Sequence, residues 1–592
     1  MIPAARLKFL RRVRELGRLI ERRARGAEAL VKAVLFRWQQ ADYPYLAIRI
    51  PQGSKDLALK ESVREFAEWL RAQNTFNEAA YWLATAYAIW VGDETRTARS
   101  LFFTPPRLAD RVISNLVCQG ASLIDGHWHD PACGGAAFLV PIAQRMAQSH
   151  LDSAISAGES LKRIETCLSG SDLDENLIYL SQQFLLMALA PLIEKTGIQP
   201  SITIKHADGL TVRESIALYD VVACNPPYRK LKSEEVQRYA VQYQEVIEGQ
   251  PNIYGLFIER SLRLTRPGGH VGLLTPTSYL SGQYFSKLRT SILSRSDVLQ
   301  IDMLSNRSAM FLDVEQETTV TTLRPHFEMM PELKATNVYV LDDTGNFVDA
   351  GACQLPKSGK PWAIPRAAGD AGILFDAEHS PFRLKDYGYI ARVGSLVAYR
   401  DKRDRFKKKE ILEQGRVALP LIWATDITPQ GNFVHGREQK IIRSDLYVAV
   451  ESLNDAGIST VPSVLLQRLT SSDQRRRLIA APVPKDWLFE HKGFVCENHV
   501  IVLEQVYDKG WSPEDLSKLL RTEVIDRVFR SMSGASNVSI FELNELPLPC
   551  PSILKRQWET TNNCDQLITD IYQTTRASLQ ESKITSTKPN AN

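Results

Sequence analysis

The stretch 218-LYDVVACNPPYRKL-231 decides how the rest of the chain is read. A short, mostly apolar run, the pattern of a buried strand, stops at an amide, two prolines and an aromatic ring. In an open α/β sheet ligands sit at the carboxyl ends of the strands, so a strand ending this way points to a site. The two prolines fix φ and hold neighbouring groups in place. An Asn side-chain oxygen and a rigidly placed backbone carbonyl can both accept protons from an amino group. An exocyclic aromatic amine is a poor nucleophile because its lone pair is delocalised into the ring. Two fixed acceptors favour a more tetrahedral nitrogen whose lone pair is available. The Tyr adds a face on which a base can stack.

On either side of this stretch, from about residue 96 to 325, short apolar runs alternate with helical segments. The runs lie at 122-SLID-125, 166-TCLSGSDLD-174, 201-SITIKHAD-208, 270-HVGLLTP-276 and 298-VLQIDML-304. Helical spacing occurs at 175-ENLIYLSQQFLLMALAPLIEK-195 and 252-NIYGLFIERSLRLT-265. This alternation predicts a parallel sheet with helices on both faces. Three other strand ends carry polar or small groups. The first, 130-DPACGGAAFLV-140, puts an acid and small residues ahead of a helix, as a close backbone approach to a nucleotide requires; any strand-to-helix turn can also carry glycines. The second, 170-GSDLD-174, suits ribose hydroxyls or a helix N-cap. The third, 206-HADGL-210, places an acid after an apolar strand and also fits a simple turn.

The order of these pieces resembles the gamma arrangement of S-adenosylmethionine-dependent N6-adenine DNA methyltransferases: 102-FFTPPRLADRVI-113, DPACGGAAFLV, GSDLD, HADGL, NPPY, HVGLLTP and 310-MFLDVEQETTV-320. Further on, 418-ALPLIWATD-426, 475-RRRLIA-480, 497-ENH-499 and 525-IDRVFRSMSGASNVS-539 resemble the DNA-recognition region of type II restriction-modification methyltransferases of this class. The resemblance spans roughly residues 96–550. It implies an α/β fold: a Rossmann-like class I methyltransferase core, with a helical N-terminal region and a C-terminal mixed α+β DNA-recognition domain.

Residue by residue, the resemblance implies that Asn225 and the Pro226 carbonyl hold the target amino group, Pro227 fixes the turn, and Tyr228 stacks on a flipped adenine. Asp130, Ala132, Cys133, Gly134 and Gly135 are expected along the methionine part of S-adenosylmethionine, with Phe103, Thr104 and Pro105 packed beside that end. Asp172 is expected on the ribose and Asp208 on the cofactor adenine amine. Phe138 is expected in the wall near cofactor or base, and Phe311 on the far side of the base. Three departures stand out. Ala136 replaces the second glycine of the family turn, Asp130 and Asp172 lie further apart than usual (an insertion around 148–165 is expected), and a Ser-Asn pair stands at 536–537 where Thr-Gln is usual.

The organisation expected is a helical region over 1–95, a catalytic domain over 96–326, a connecting segment over 327–380, a target-recognition domain over 381–550 and a tail over 551–592, its last 25 or so residues frayed. Within 381–480, 18 Lys and Arg face 11 Asp and Glu, a local balance of +7 in a chain whose net charge is +4. Such clustering is the electrostatic footprint of a phosphate backbone. It selects Arg400, Lys402, Arg403, Arg405, Lys407, Lys408, Arg475 and Arg476 as candidate contacts to double-stranded DNA; a solvated surface loop is the plain alternative.

The eight cysteines form no Cys-x-x-Cys pair and no Cys/His cluster at zinc spacing. No metal is expected, and a reduced cytoplasmic setting is. No apolar run reaches the length of a membrane span. Residues Met1 to Arg25 read as an amphipathic helix with a basic face, a composition that a transit peptide shares. A cognate endonuclease is expected on a separate chain, and the oligomeric state is not legible. Competing readings keep the fold but change the substrate to RNA or protein glutamine, move the target to cytosine N4, or keep the chain as a non-catalytic DNA-binding subunit.

Overall fold

The computed structural model describes residues 3–20, 24–46, 52–73, 75–211, 218–304, 317–327, 334–356, 358–408, 416–437, 445–470, 474–533 and 537–586. The chain divides into two compact units. One comprises Met1–Pro276, Lys287–Thr336 and Leu341–Phe347; the other comprises Thr277–Ser286, Asn337–Val340 and Val348–Asn592.

The first unit is built on seven strands: β1 (Trp128–Asp130), β2 (Leu168–Asp172), β3 (Thr203–His206), β4 (Tyr219–Cys224), β5 (Thr265–Pro276), β6 (Ser296–Leu304) and β7 (Thr318–Pro325). Their spatial order is β3-β2-β1-β4-β5-β7-β6. The first five run parallel, and β7 lies antiparallel between β5 and β6. The order reverses at β1, so the carboxyl ends of β1 and β4 border the crevice where a doubly wound sheet takes its ligand. The α/β expectation is therefore met.

Two local expectations fail. The run 122–125 is not a strand: the Ser122 hydroxyl accepts from the N–H groups of Ile124 and Asp125 and bends the chain. The true first strand is Trp128-His129-Asp130, buried throughout. Likewise the segment 175–195 is two helices, Glu175–Ala188 and Ala190–Thr196, which meet at a 63° bend beside Pro191. The extra residues between Asp130 and Asp172 form a second helix, Ala157–Cys167, after Leu139–Asp152.

Helices Pro3–Gly17, Ala24–Asp42, Glu61–Arg71 and Phe76–Trp90 fill the N-terminal region. They share one continuous apolar core with the sheet. Phe9, Phe66, Trp69 and Trp82 cluster with ring centroids 4.3–6.4 Å apart. Phe76–Trp90 is nearly all buried because one flank meets the other helices and the opposite flank meets the sheet's loops.

After β7 a hairpin, β8 (Thr336–Leu341) and β9 (Phe347–Cys353), turns at Asp342–Asn346, and the boundary between the units passes through it. The second unit carries two small sheets. One has the order β10 (Tyr389–Val393), β18 (Val500–Gln505), β15 (Ser463–Gln467) and β16 (Ala480–Pro482). The other has the order β11 (Arg405–Phe406), β13 (Tyr447–Val450), β12 (Val417–Ile422), β17 (Phe494–Cys496) and β14 (Ile458–Ser459). Helices Pro513–Leu520 and Glu523–Met532 pack on a core centred on Trp511 and Trp558. The expected single helix over 513–531 is broken at Arg521–Thr522. Of the expected frayed end, the part up to Ser586 is corrected: Cys564–Ser586 is helical, and Leu567, Ile568, Ile571 and Tyr572 bury one face of it, while 587–592 lie outside the described residues. Among the described residues no single helix is long and apolar enough to cross a membrane.

Candidate active site

A cleft of about 430 Å³ opens at the carboxyl ends of β1 to β4. Each strand delivers one of the expected groups. Asp130 ends β1, and its buried carboxylate accepts from the Ala132 N–H at 3.0 Å. Asp172 ends β2 and accepts from the N–H groups of Gly134 and Asp174, both at 2.9 Å. Asp208 follows β3 and accepts from the Leu210 N–H at 3.0 Å. Asn225 follows β4; its Nδ2 donates to Thr104 Oγ1 at 2.8 Å.

The cleft wall contains Ala132, Cys133, Gly134 and Phe138 from the first turn, Phe103 and Thr104 from the segment before helix Pro106–Cys118, and Pro227. Four expected residues do not line it. Pro105 is the N-cap of helix Pro106–Cys118, Pro226 is buried, and Gly135 borders a smaller cavity of about 40 Å³ with Ala84. Tyr228 lies beside the cleft: its hydroxyl is 2.6 Å from Asn225 Oδ1 and 2.8 Å from the Leu274 carbonyl, and its ring meets Tyr254 edge-on at 6.3 Å. Phe311 lies outside the described residues.

The glycine departure has a structural answer. Gly134 takes φ +52°, and Ala136, where the family has glycine, takes φ +59°. The turn keeps the left-handed geometry although an L-residue there costs roughly 1–2 kcal/mol. Ala136 is wholly buried, so tertiary packing offsets that cost. A Cβ added at Gly135 would stand 2.9 Å from the Ala84 Cβ, which fixes glycine at that position.

Burial sets the electrostatics. It pushes the Asp130 carboxyl up to about 8; neighbouring Asp172 adds to the shift, while the Ala132 N–H and the Cys224 thiol oppose it. Burial also raises Asp172. The Cys133 and Cys224 thiols and the Tyr228 phenol are pushed well above their ordinary values, so all three stay neutral.

Sequence reasoning misses several wall residues. Asp174 is the N-cap of helix Glu175–Ala188; it accepts from the N–H groups of Asn176 and Leu177, from the Tyr87 hydroxyl and from Arg99. Its cap position ahead of an apolar helix is a visible signal. Helix Ser233–Tyr243 supplies Arg238 and Tyr239; the Tyr239 hydroxyl donates to Asp208 Oδ2 at 2.8 Å and Arg238 stands 3.3 Å from the same oxygen. Arg229 holds Glu235 through two hydrogen bonds of 2.7 and 2.6 Å. Nothing in the spacing of these side chains announces a shared wall.

In the second unit the basic run is partly internalised. Arg403 is paired with Asp401 at 2.6 Å and Arg405 stands 3.8 Å from Asp445. The Arg400 guanidinium lies 5.1 Å from the centre of the exposed Tyr399 ring. Lys402, Lys407, Lys408 and Arg475 are exposed, and Arg476 is half-buried. Arg477 is buried and donates to Ser533 Oγ at 2.9 Å, so it acts as a strut. Among the other recognition motifs, Asp426 is buried and gathers the N–H groups of Trp423, Gly436 and Arg437. Glu497 is likewise buried and paired with His499. Ser536 lies outside the described residues, while Asn537 forms a bridge with Leu469.

Residues 166–311 match the family model of the Eco57I restriction-modification methylase. The chain is 23% identical over 375 residues to the type II methyltransferase M.PstI of Providencia stuartii, covering 60% of this chain and 69% of that enzyme. It is 22% identical over 342 residues to the type II methyltransferase M.BsuBI of Bacillus subtilis, covering 56% of this chain and 65% of that enzyme. A similar fold occurs in the type IIL restriction-modification enzyme MmeI, solved in complex with DNA; the TM-score is 0.52 at 11% identity, over 94% of this chain and 90% of that one. By the order of its motifs, its sheet and these relatives, the chain resembles the methyltransferases of type II restriction-modification systems.

Proposed function

We propose that the protein is a site-specific DNA methyltransferase that moves a methyl group from S-adenosylmethionine to the exocyclic N6 of an adenine flipped out of duplex DNA, as the modification enzyme of a restriction-modification system. The observation that carries this reading is Asn225-Pro226-Pro227-Tyr228 at the end of β4, with the Asn225 amide held over a nucleotide-sized cleft by Thr104 and Tyr228.

The residues present fit the cofactor. The cleft volume lies in the range of small-molecule sites. Its acids stand on successive strand ends, with Asp172 suited to ribose hydroxyls and Asp208 to an adenine amine. The glycine turn lets main chain approach closely. S-adenosylmethionine supplies an electrophilic methyl group. The neutral thiols of Cys133 and Cys224 offer no nucleophile, which favours direct transfer to the target nitrogen.

The chain's own residues then have three tasks. Asn225 Oδ1 and the Pro226 carbonyl accept the N–H protons of the target amine and turn its lone pair toward the methyl group. The Tyr228 ring packs on the base. Exposed Lys402, Lys407, Lys408 and Arg475 hold the phosphate backbone, which binds tightly enough to offset the few kcal/mol lost on unstacking the base. The basic stretch 381–480 favours duplex DNA over RNA or protein glutamine. Within this proposal, cleavage is assigned to a cognate endonuclease on a separate chain.

Incubation with labelled S-adenosylmethionine and unmethylated duplex DNA tests the reading. Wild type should label the DNA. Asn225→Ala should bind cofactor with unchanged affinity in calorimetry while kcat falls by roughly 10²–10³-fold, the scale for losing a preorganised hydrogen-bond partner. Cofactor binding without transfer to DNA by wild type contradicts it.

A further inference from the structure

An Asn amide is nearly symmetric in shape, yet its two ends have opposite hydrogen-bonding sense. Only the neighbours decide which end faces a substrate. Around Asn225 stand the Thr104 and Tyr228 hydroxyls, each able to donate or accept, and the Leu274 carbonyl, which only accepts. Thr104, buried to 3% exposure, accepts from Nδ2 at 2.8 Å. The Tyr228 hydroxyl is 2.6 Å from Oδ1 and 2.8 Å from the Leu274 carbonyl. That hydroxyl has one proton and two acceptors in reach, so it can serve one of them at a time.

We infer that Thr104 is a positioning residue for methyl transfer: its hydroxyl anchors the amino end of the Asn225 amide and keeps the carbonyl end turned toward the target base. The inference rests on the function proposed above. While the site is empty of base, the Tyr228 proton satisfies Asn225 Oδ1. When the target amine arrives, that proton swings to the Leu274 carbonyl and Oδ1 is released to accept from the amine. The Nδ2–Thr104 bond does not change during this exchange, so Nδ2 keeps its acceptor while Oδ1 serves the amine. Without the Thr104 hydroxyl, a second arrangement competes. The amide rotates by half a turn, Nδ2 donates to the Tyr228 oxygen, and the Tyr228 proton sits on the Leu274 carbonyl. That setting leaves Oδ1 without a donor and the productive setting leaves Nδ2 without an acceptor, so nothing holds the carbonyl toward the base and the base can meet a donor where it needs an acceptor.

Thr104 comes from the segment that borders the cleft, so it could instead act by touching the cofactor. The two roles separate in kinetics. Thr104→Val replaces the hydroxyl by a methyl group of similar size, and Thr104→Ser restores the hydroxyl. For a positioning role, Thr104→Val lowers kcat at saturating cofactor and DNA at least tenfold and leaves the cofactor dissociation constant within about twofold, the split expected when an interaction matters in the transition state rather than in binding. Thr104→Ser should recover most of kcat. A Thr104→Val protein with weakened cofactor binding but wild-type kcat overturns the inference, as does a Ser variant no better than Val. A readout without turnover comes from crystal structures of both variants. The Asn225 amide should lose its single setting in Thr104→Val and regain it in Thr104→Ser. An amide that keeps its single setting against Tyr228 in Thr104→Val overturns the inference even if wild type proves inactive on DNA, the outcome that separately defeats the proposed function.

Discussion

Replacing Asp174 by Ala probes how the cleft is braced from outside. The Asp174 carboxylate caps helix Glu175–Ala188 by accepting the N–H groups of Asn176 at 2.9 Å and Leu177 at 3.3 Å. It also accepts from the buried Tyr87 hydroxyl, 3.2 Å from both oxygens, and from Arg99 at 2.9 Å. Losing the cap costs about 1 kcal/mol. Leaving the Tyr87 proton without this acceptor costs about 1–2 kcal/mol more. The Arg99 pair adds at most ~0.5 kcal/mol, because the guanidinium is more than half exposed. The sum is about 2–3.5 kcal/mol. Asp174→Asn keeps a cap and an acceptor for Tyr87, and should cost about 1 kcal/mol or less. Urea unfolding followed by tryptophan fluorescence measures both, with the transition of the first unit identified by its shift on adding S-adenosylmethionine. Cofactor affinity should fall with Asp174→Ala, since the uncapped helix start no longer fixes residue 174, whose main-chain N–H, retained in the variant, donates to Asp172 at 2.9 Å. An Ala variant that loses less than about 1 kcal/mol, or an Asn variant as unstable as Ala, refutes the reasoning.

Burial of Asp130 predicts a pH effect. Its folded value of about 8 lies above the unfolded value of 3.8, so the unfolded chain releases this proton first. As pH rises from about 4 to about 8 the group therefore disfavours the folded state. Asp130→Asn removes that slope; its stability relative to wild type should improve between pH 5 and pH 8 in chemical unfolding, and a constant difference contradicts the assignment. Gly135→Ala should destabilise by roughly 1–3 kcal/mol through overpacking. The loss should shrink in an Ala84→Gly background, where the obstructing methyl is gone. Equal losses in both backgrounds rule out that clash. Changing Lys402, Lys408 and Arg475 together to Ala should flatten the dependence of DNA affinity on salt, by about 0.9 log units per log unit for each phosphate that is no longer neutralised. An unchanged slope places the DNA elsewhere.

Much of the cleft is legible because β1 to β4 each end on or beside one of its polar groups. The apolar run before Asn225 marks β4, and the acids at 130, 172 and 208 fall on β1, β2 and just after β3. The first strand is hard to place because Trp128-His129-Asp130 is three residues long and carries no run of aliphatic or β-branched residues. β7 escapes notice because its start overlaps the end of the motif 310–320, although 318-TTVTTLRP-325 has the β-branched composition of a strand. The C-terminal helix reads as a tail because its polar end outweighs the spacing of Leu567, Ile568, Ile571 and Tyr572. Tyr87, Arg99, Arg238 and Tyr239 reach the cleft or its brace from helices far away in sequence, and helical periodicity reports a buried face without naming its neighbours. The basic runs show the opposite limit: composition counts charges, but Asp401 and Ser533 already hold Arg403 and Arg477.

The central claim is tested most directly by nucleoside analysis of duplex DNA after incubation with labelled S-adenosylmethionine and the purified protein. The account predicts label in N6-methyladenine, at sites that become protected, and labelling slowed by roughly 10²–10³-fold when Asn225→Ala replaces wild type. Label in N4-methylcytosine would move the target to the other exocyclic amine, and DNA left unlabelled by a protein that binds the cofactor would contradict the account.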